Sequence, residues 1–171
     1  MQIRTAQVAD AEQIERIRIR GWQVGYRHAF PPEELDKLTV DAWRWLQGLK
    51  EGFPNGQSCA VAEDGRELLG WVTWGPSLLP EGWGEIRGLY VDPDRWGRGA
   101  GRALLAHGER DLRRISDEAM LWTLADNPRT RRFYEAAGWS VDGTTSSFDQ
   151  FGVNAPIVRY RKRLTSSTSR S

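Results

Sequence analysis

The spacing of apolar residues changes period several times along the chain. Residues 3–6 alternate as a short strand. Ile14 and Ile17 then recur at helical spacing after Asp10, a good N-cap, and the helix is expected to end near Gly21. Residues 22–30 are aromatic and irregular, and Pro31-Pro32 halts any helix there. Pro32 can open a helix with Leu35 and Leu38 inward, and a further helical stretch runs over about 40–50, ended by Gly52 and Pro54. From Ser58 the period falls to two. Residues 58–63 and 67–74 flank Asp64-Gly65, a hairpin signal, and Gly75-Pro76 breaks the second strand. Residues 84–91 form another strand, stopped by Asp92-Pro93. Helical spacing returns over 99–115, where Ala103, Leu104 and Leu112 make a buried stripe. A strand over 119–124, a helix over 129–137 ended by Gly138, and strands near 139–148 and 157–164 complete the pattern.

Hairpins demand antiparallel pairing, while crossovers through the helices at 99–115 and 129–137 demand some parallel pairing. The expected fold is therefore of the α/β class (mixed α+β): a mixed central β-sheet flanked by helices on both faces. No linker divides the chain, so residues 1–164 read as a single domain, and 165–171, mostly Ser and Thr, as a flexible C-terminal tail.

Composition narrows the function classes. A net charge of +1 provides no basic excess for nucleic acid. Cys59 is the sole cysteine and His28 and His107 lie far apart, so no metal site is expected and no internal disulfide can form. No stretch approaches 18 apolar residues and the N-terminus has no signal-peptide core, which makes the expected compartment cytoplasmic, without membrane attachment. The nine tryptophans should be mostly core, with a minority lining a pocket.

The chemistry concentrates where the strand ending Leu89-Tyr90-Val91 enters a turn with glycines at 97, 99 and 101 before the next helix. Glycines let a ligand approach the backbone. The helix N-terminus adds unpaired N–H groups and a positive dipole end, so the turn suits a pyrophosphate, with Arg98 and Arg102 adding charge. The spacing is neither that of a dinucleotide fingerprint nor that of a Walker loop.

The run Trp96-Gly97-Arg98-Gly99-Ala100-Gly101 resembles the acetyl-CoA loop of the GNAT (Gcn5-related N-acetyltransferase) superfamily, Gln/Arg-x-x-Gly-x-Gly/Ala. Gly99 and Gly101 match, while Trp96 stands where Gln or Arg is usual, and its role is open between a lid and plain packing. Downstream, Asn127-Pro128-Arg129-Thr130-Arg131-Arg132-Phe133-Tyr134, running on to Gly138-Trp139, resembles the family's Asn-x-x-Ala-x-x-Phe-Tyr-x-x-x-Gly-Phe. The resemblance implies a GNAT fold and acetyl-CoA as co-substrate, with no metal. It places the cofactor against Leu89, Tyr90, Val91, the 97–102 turn and Asn127, with the Val91 N–H as oxyanion donor.

The implied reaction is direct attack of a primary amine, from a small molecule or peptide, on the thioester. Tyr134 is the candidate acid toward the sulfur. Glu85 is the candidate base through water, set against a rim carboxylate merely paired with Arg87, and a bulge near Gly88 is expected to disturb the alternation of Glu85, Arg87 and Leu89. Cys59 reads as core rather than as a nucleophile. Trp22, Tyr26 and Trp74, with Trp71, are candidates for an aromatic acceptor wall suited to an apolar or cationic amine. A catalytically silent acyl-CoA-binding regulator is the alternative, and a homodimer is compatible with either.

Overall fold

The computed structural model describes residues 1–164; the expected tail at 165–171 lies outside them. The elements run β1 (Gln2–Thr5), α1 (Ala11–Gly25), α2 (Pro32–Asp36), α3 (Trp43–Glu51), β2 (Ser58–Asp64), β3 (Glu67–Pro76), β4 (Gly84–Val91), α4 (Ala100–Leu112), β5 (Glu118–Leu124), α5 (Pro128–Ala136), β6 (Ser140–Gln150) and β7 (Val153–Arg163). The seven strands form one sheet in the order β1-β2-β3-β4-β5-β7-β6. Only β4 and β5 pair in parallel. Helices α1 and α3 pack on one face of the sheet and α4 on the other. No helix among the described residues is long and apolar enough to cross a membrane.

Because helices cover both faces, the central strand β3 is buried from Leu68 to Gly75. Its alternation decides which tryptophan faces which layer. Trp71 points to the α1 side, where its indole N–H donates to the Ile14 carbonyl at 2.9 Å. Trp74, three residues on, has the opposite parity and packs with Val72, Ile86 and Leu104 beneath α4, its ring 5.4 Å from that of His107. Leu104, Leu105 and Leu112 of α4 form the buried stripe on that layer; Ala103 stands at its margin.

Two local expectations are corrected. Asp10 does not cap α1 with its side chain: the carboxylate accepts from the Gln7 N–H at 2.7 Å and pairs with Arg4 at 2.7 Å, tying β1 to the helix entry. Helix α1 also does not end at Gly21 but continues to Gly25. Gly21 lies inside the helix because the Tyr90 ring packs against it, where an added Cβ would come within 2.9 Å.

Candidate active site

Strands β4 and β5 are paired only at Gly84–Ala119 and Glu85–Met120, then diverge. The divergence follows from β4 itself. Thr73 pairs with Gly88 but Trp74 pairs with Ile86, so Arg87 is an extra residue, a bulge one position before the expected place. The bulge puts Glu85 and Arg87 side by side, with an N···O separation of 3.6 Å, while Leu89 packs on the opposite, α4 face. The Arg87 guanidinium also donates to the carbonyls of Asn55 and Pro76, at 3.2 and 2.5 Å, and so fastens the bulge to the end of β3.

Between the splayed strands lies a cavity of about 1100 Å³, floored by β4 and β5 and walled by the 96–102 turn, α5 and the C-terminal end of α1. The ladder fixes what β4 offers to it. The Asp92 N–H donates to the Leu69 carbonyl, so hydrogen-bonded and non-bonded pairs alternate back from there. Val91, opposite Gly70, and Leu89, opposite Val72, therefore turn their N–H groups away from β3 and into the gap that β5 has vacated.

The turn is built to hold its shape. Gly97 and Gly99 have φ of 77° and 87°, a region unfavourable to other residues, and Gly99 immediately precedes α4. Arg20 of α1 binds Asp92 and Asp94 at 2.7 Å each, Asp92 accepts from the Asp94 N–H at 2.9 Å, and Arg95 pairs with Glu67 at 2.7 Å. The Trp96 indole N–H donates to the Val91 carbonyl at 2.9 Å. Gly97, Gly99, Ala100, Gly101 and Arg102 line the cavity. The Arg98 side chain does not. It borders a separate groove with Arg16 and Asp94, because left-handed glycines on either side turn it outward.

Helix α5 brings the second motif to the same cavity. Asn127 is buried and its side-chain oxygen accepts from the Thr130 N–H at 3.2 Å, capping the helix. Its amide nitrogen makes no hydrogen bond among the described residues. Tyr134, 7% exposed, also lines the cavity. Nothing among the described residues hydrogen-bonds its hydroxyl, which opens to the cavity: the one fully buried side-chain polar atom left unpartnered among them is Ser77 Oγ. Burial pushes its phenol well above the ordinary range, and nearby Tyr90 adds to the shift.

The aromatic wall differs from expectation. Tyr26 lines the cavity, its phenol likewise raised by burial and by Tyr90. Trp22 stands behind it, stacked among Phe30, Phe148 and Phe151, and donates to the Tyr90 hydroxyl at 2.9 Å. Trp74, beneath α4, and Trp71, on the α1 side, both pack in the core and neither lines the cavity. Tyr90 itself projects to the α1 side, so its ring faces the end of the cavity near Tyr26 and not the glycine turn. Glu85 is not among the lining residues, whereas Arg87, 3.6 Å from it, is. Burial raises the Glu85 carboxyl above its usual range and Arg87 partly opposes that.

Sequence reasoning passed over His28, Trp122, Arg129 and Arg132, all of which line the cavity. The His28 ring bonds the Asp126 carbonyl, joining the segment after α1 to the β5–α5 loop across the cavity. Arg102, Arg129 and Arg132 have no carboxylate within ion-pair distance among the described residues, so the cavity's charged end is net positive. The arginines lie in α4 and α5, and their convergence depends on how α5 approaches the turn, which no local pattern encodes.

Residues 12–139 match the family model described as acetyltransferase (GNAT) family. The chain is 30% identical to Rv2775 of Mycobacterium tuberculosis, a protein named as a probable N-acetyltransferase, over 94% of this chain and 92% of that one. Among solved structures it resembles a GNAT-family acetyltransferase from Desulfovibrio desulfuricans, with 28% identity and a TM-score of 0.74 over 96% of this chain and 99% of that one. It also shares the fold of YncA from Salmonella typhimurium, solved with acetyl-CoA, with 20% identity and a TM-score of 0.74 over 99% of this chain and 97% of that one. With that model spanning most of the described residues and a full-length relative at this identity, the chain belongs to the acetyltransferase (GNAT) family.

Proposed function

We propose that the protein moves an acetyl group from acetyl-CoA to a primary amine of a small molecule or peptide by direct attack. The diphosphate lies against the amides of the 97–101 turn and the N-terminus of α4, the pantetheine arm along Leu89 and Val91 with the Asn127 amide donating to it, and the sulfur beside Tyr134. The observation that carries this reading is the Tyr134 hydroxyl: without a hydrogen-bond partner among the described residues, and open to the same cavity as the glycine turn. The cofactor solved in YncA gives the same fold a precedent for acetyl-CoA.

The neutral amine nitrogen bonds the thioester carbon, and the Val91 N–H stabilises the oxyanion that forms. The carbon–sulfur bond then breaks, its electron pair leaving on sulfur, which takes a proton from Tyr134. The amine's own proton passes through water to Glu85, and proton exchange through that water restores the Tyr134 phenol. A phenol held above its usual range stays protonated at neutral pH, as a donor must. The acceptor enters at the end bordered by Tyr26, Tyr90 and Trp122, which suits an apolar or cationic amine. Thiol release from acetyl-CoA, followed across a panel of amines, tests the reading; coenzyme binding with no turnover on any amine favours a silent acyl-CoA-binding module instead.

Glu85 works only when ionised, so the rate should fall as the pH drops through its raised pKa. Glu85→Gln is expected to flatten this acid limb and lower kcat/KM about tenfold, less than for a directly placed base because water intervenes. An unaltered pH–rate profile would leave Glu85 as a partner of Arg87 only.

A further inference from the structure

Trp96 occupies the one position of the turn where this chain departs from the family pattern, and the structure gives the indole two contacts. Its N–H is committed to the Val91 carbonyl at 2.9 Å, which holds the ring across the end of β4. Over its face lies the Arg129 guanidinium, 3.5 Å from the ring centroid. The two residues come from opposite walls: Trp96 from the turn before α4, Arg129 from the first turn of α5. The stack therefore spans the cavity's positive end.

A guanidinium stacked on an indole keeps its N–H donors in the plane of the stack, pointing outward from the ring edge. Stacking also fixes an otherwise flexible side chain before a ligand arrives, which lowers the entropy cost of binding. Arg129 has no carboxylate within ion-pair distance among the described residues, so the in-plane donors are available to an anion. The turn amides already account for a diphosphate. Coenzyme A carries one further phosphate, the dianionic group on the ribose 3′ oxygen, and a planar fork of donors matches it bidentately.

We infer that the Trp96–Arg129 stack binds the ribose 3′-phosphate and makes the protein select coenzyme A over its 3′-dephospho form. This rests on the proposed acetyl-CoA function. Trp96 is the positioning residue, Arg129 the one in contact with the phosphate.

Calorimetric titration with coenzyme A and with 3′-dephospho-coenzyme A tests it without knowledge of the acceptor. The wild-type protein should bind coenzyme A about tenfold more tightly, the worth of a charge-assisted contact at a partly exposed site. Arg129→Gln should erase the preference by weakening coenzyme A alone, leaving the dephospho form unchanged. Trp96→Leu should reduce the preference in the same sense, and Trp96→Phe, which keeps a ring beneath the cation, should retain most of it. Equal affinities for the two coenzymes in the wild type, or an Arg129→Gln variant that keeps the preference or weakens both coenzymes equally, would overturn the inference while leaving coenzyme binding intact. No heat with either coenzyme would instead remove the acetyl-CoA reading beneath it.

Discussion

Tyr134→Phe is expected to lower the turnover of acetyl-CoA with any accepted amine about a hundredfold, the lower end for loss of a placed general acid. Coenzyme affinity should change little. The phenylalanine ring keeps the packing against Phe133, Trp139 and Tyr160, whose centroids lie 5.2, 6.4 and 6.1 Å away, so the fold has no reason to yield. The hydroxyl has no hydrogen-bond partner among the described residues, so its removal orphans none of them. The change should therefore fall on kcat and not on the melting temperature. Steady-state kinetics beside coenzyme calorimetry separates the two; unchanged turnover would take Tyr134 out of the acid role.

Gly99→Val should produce the second large effect, this time on binding. A β-branched residue at φ of 87° costs about 1–3 kcal/mol or forces the turn to rearrange, and either outcome spoils the line of amides leading into α4. Coenzyme A affinity should fall roughly tenfold to hundredfold, since strain of that size must be met before the amides can converge. Gly143, with the same φ of 87° in β6, supplies the comparison. Gly143→Val should lower the melting temperature similarly yet leave coenzyme affinity within about twofold, as expected of a substitution away from the site. Equal losses of affinity in both variants would mean that Gly99 serves general stability only.

Much of this architecture is legible in local pattern, and the exceptions share a cause. Strand β4 was delimited at Gly84 and Val91 because turn residues bound it on both sides, and α5 because Asn127 caps it and Gly138, at φ of 85°, ends it. Helix α1 outran its expected end because Gly21 reads as a stop locally, whereas Tyr90, nearly seventy residues later, requires a side chain of hydrogen there. The family resemblance sets Trp74 beside Trp71 on the acceptor strand, but three residues along a strand is an odd step and reverses the face. Trp22, expected in the acceptor wall, stands behind Tyr26 and donates to the Tyr90 hydroxyl.

The same division runs through the site. The glycine turn, Asn127 and Tyr134 are carried by contiguous motifs and meet at one cavity. The free N–H of Val91 is set by the β3 register and by the departure of β5, and the Arg129 stack by the approach of α5 to the turn. These depend on tertiary placement, and no spacing in the chain announces them.

The most direct test is the amide spectrum of ¹⁵N-labelled protein titrated with coenzyme A. Saturable shifts should be largest at the amides of Gly97, Gly99, Gly101 and Val91 and at the Asn127 side chain, lining a single path from the turn toward Tyr134. Shifts clustered on another surface, or none at millimolar coenzyme, would contradict the binding of coenzyme A between β4 and β5.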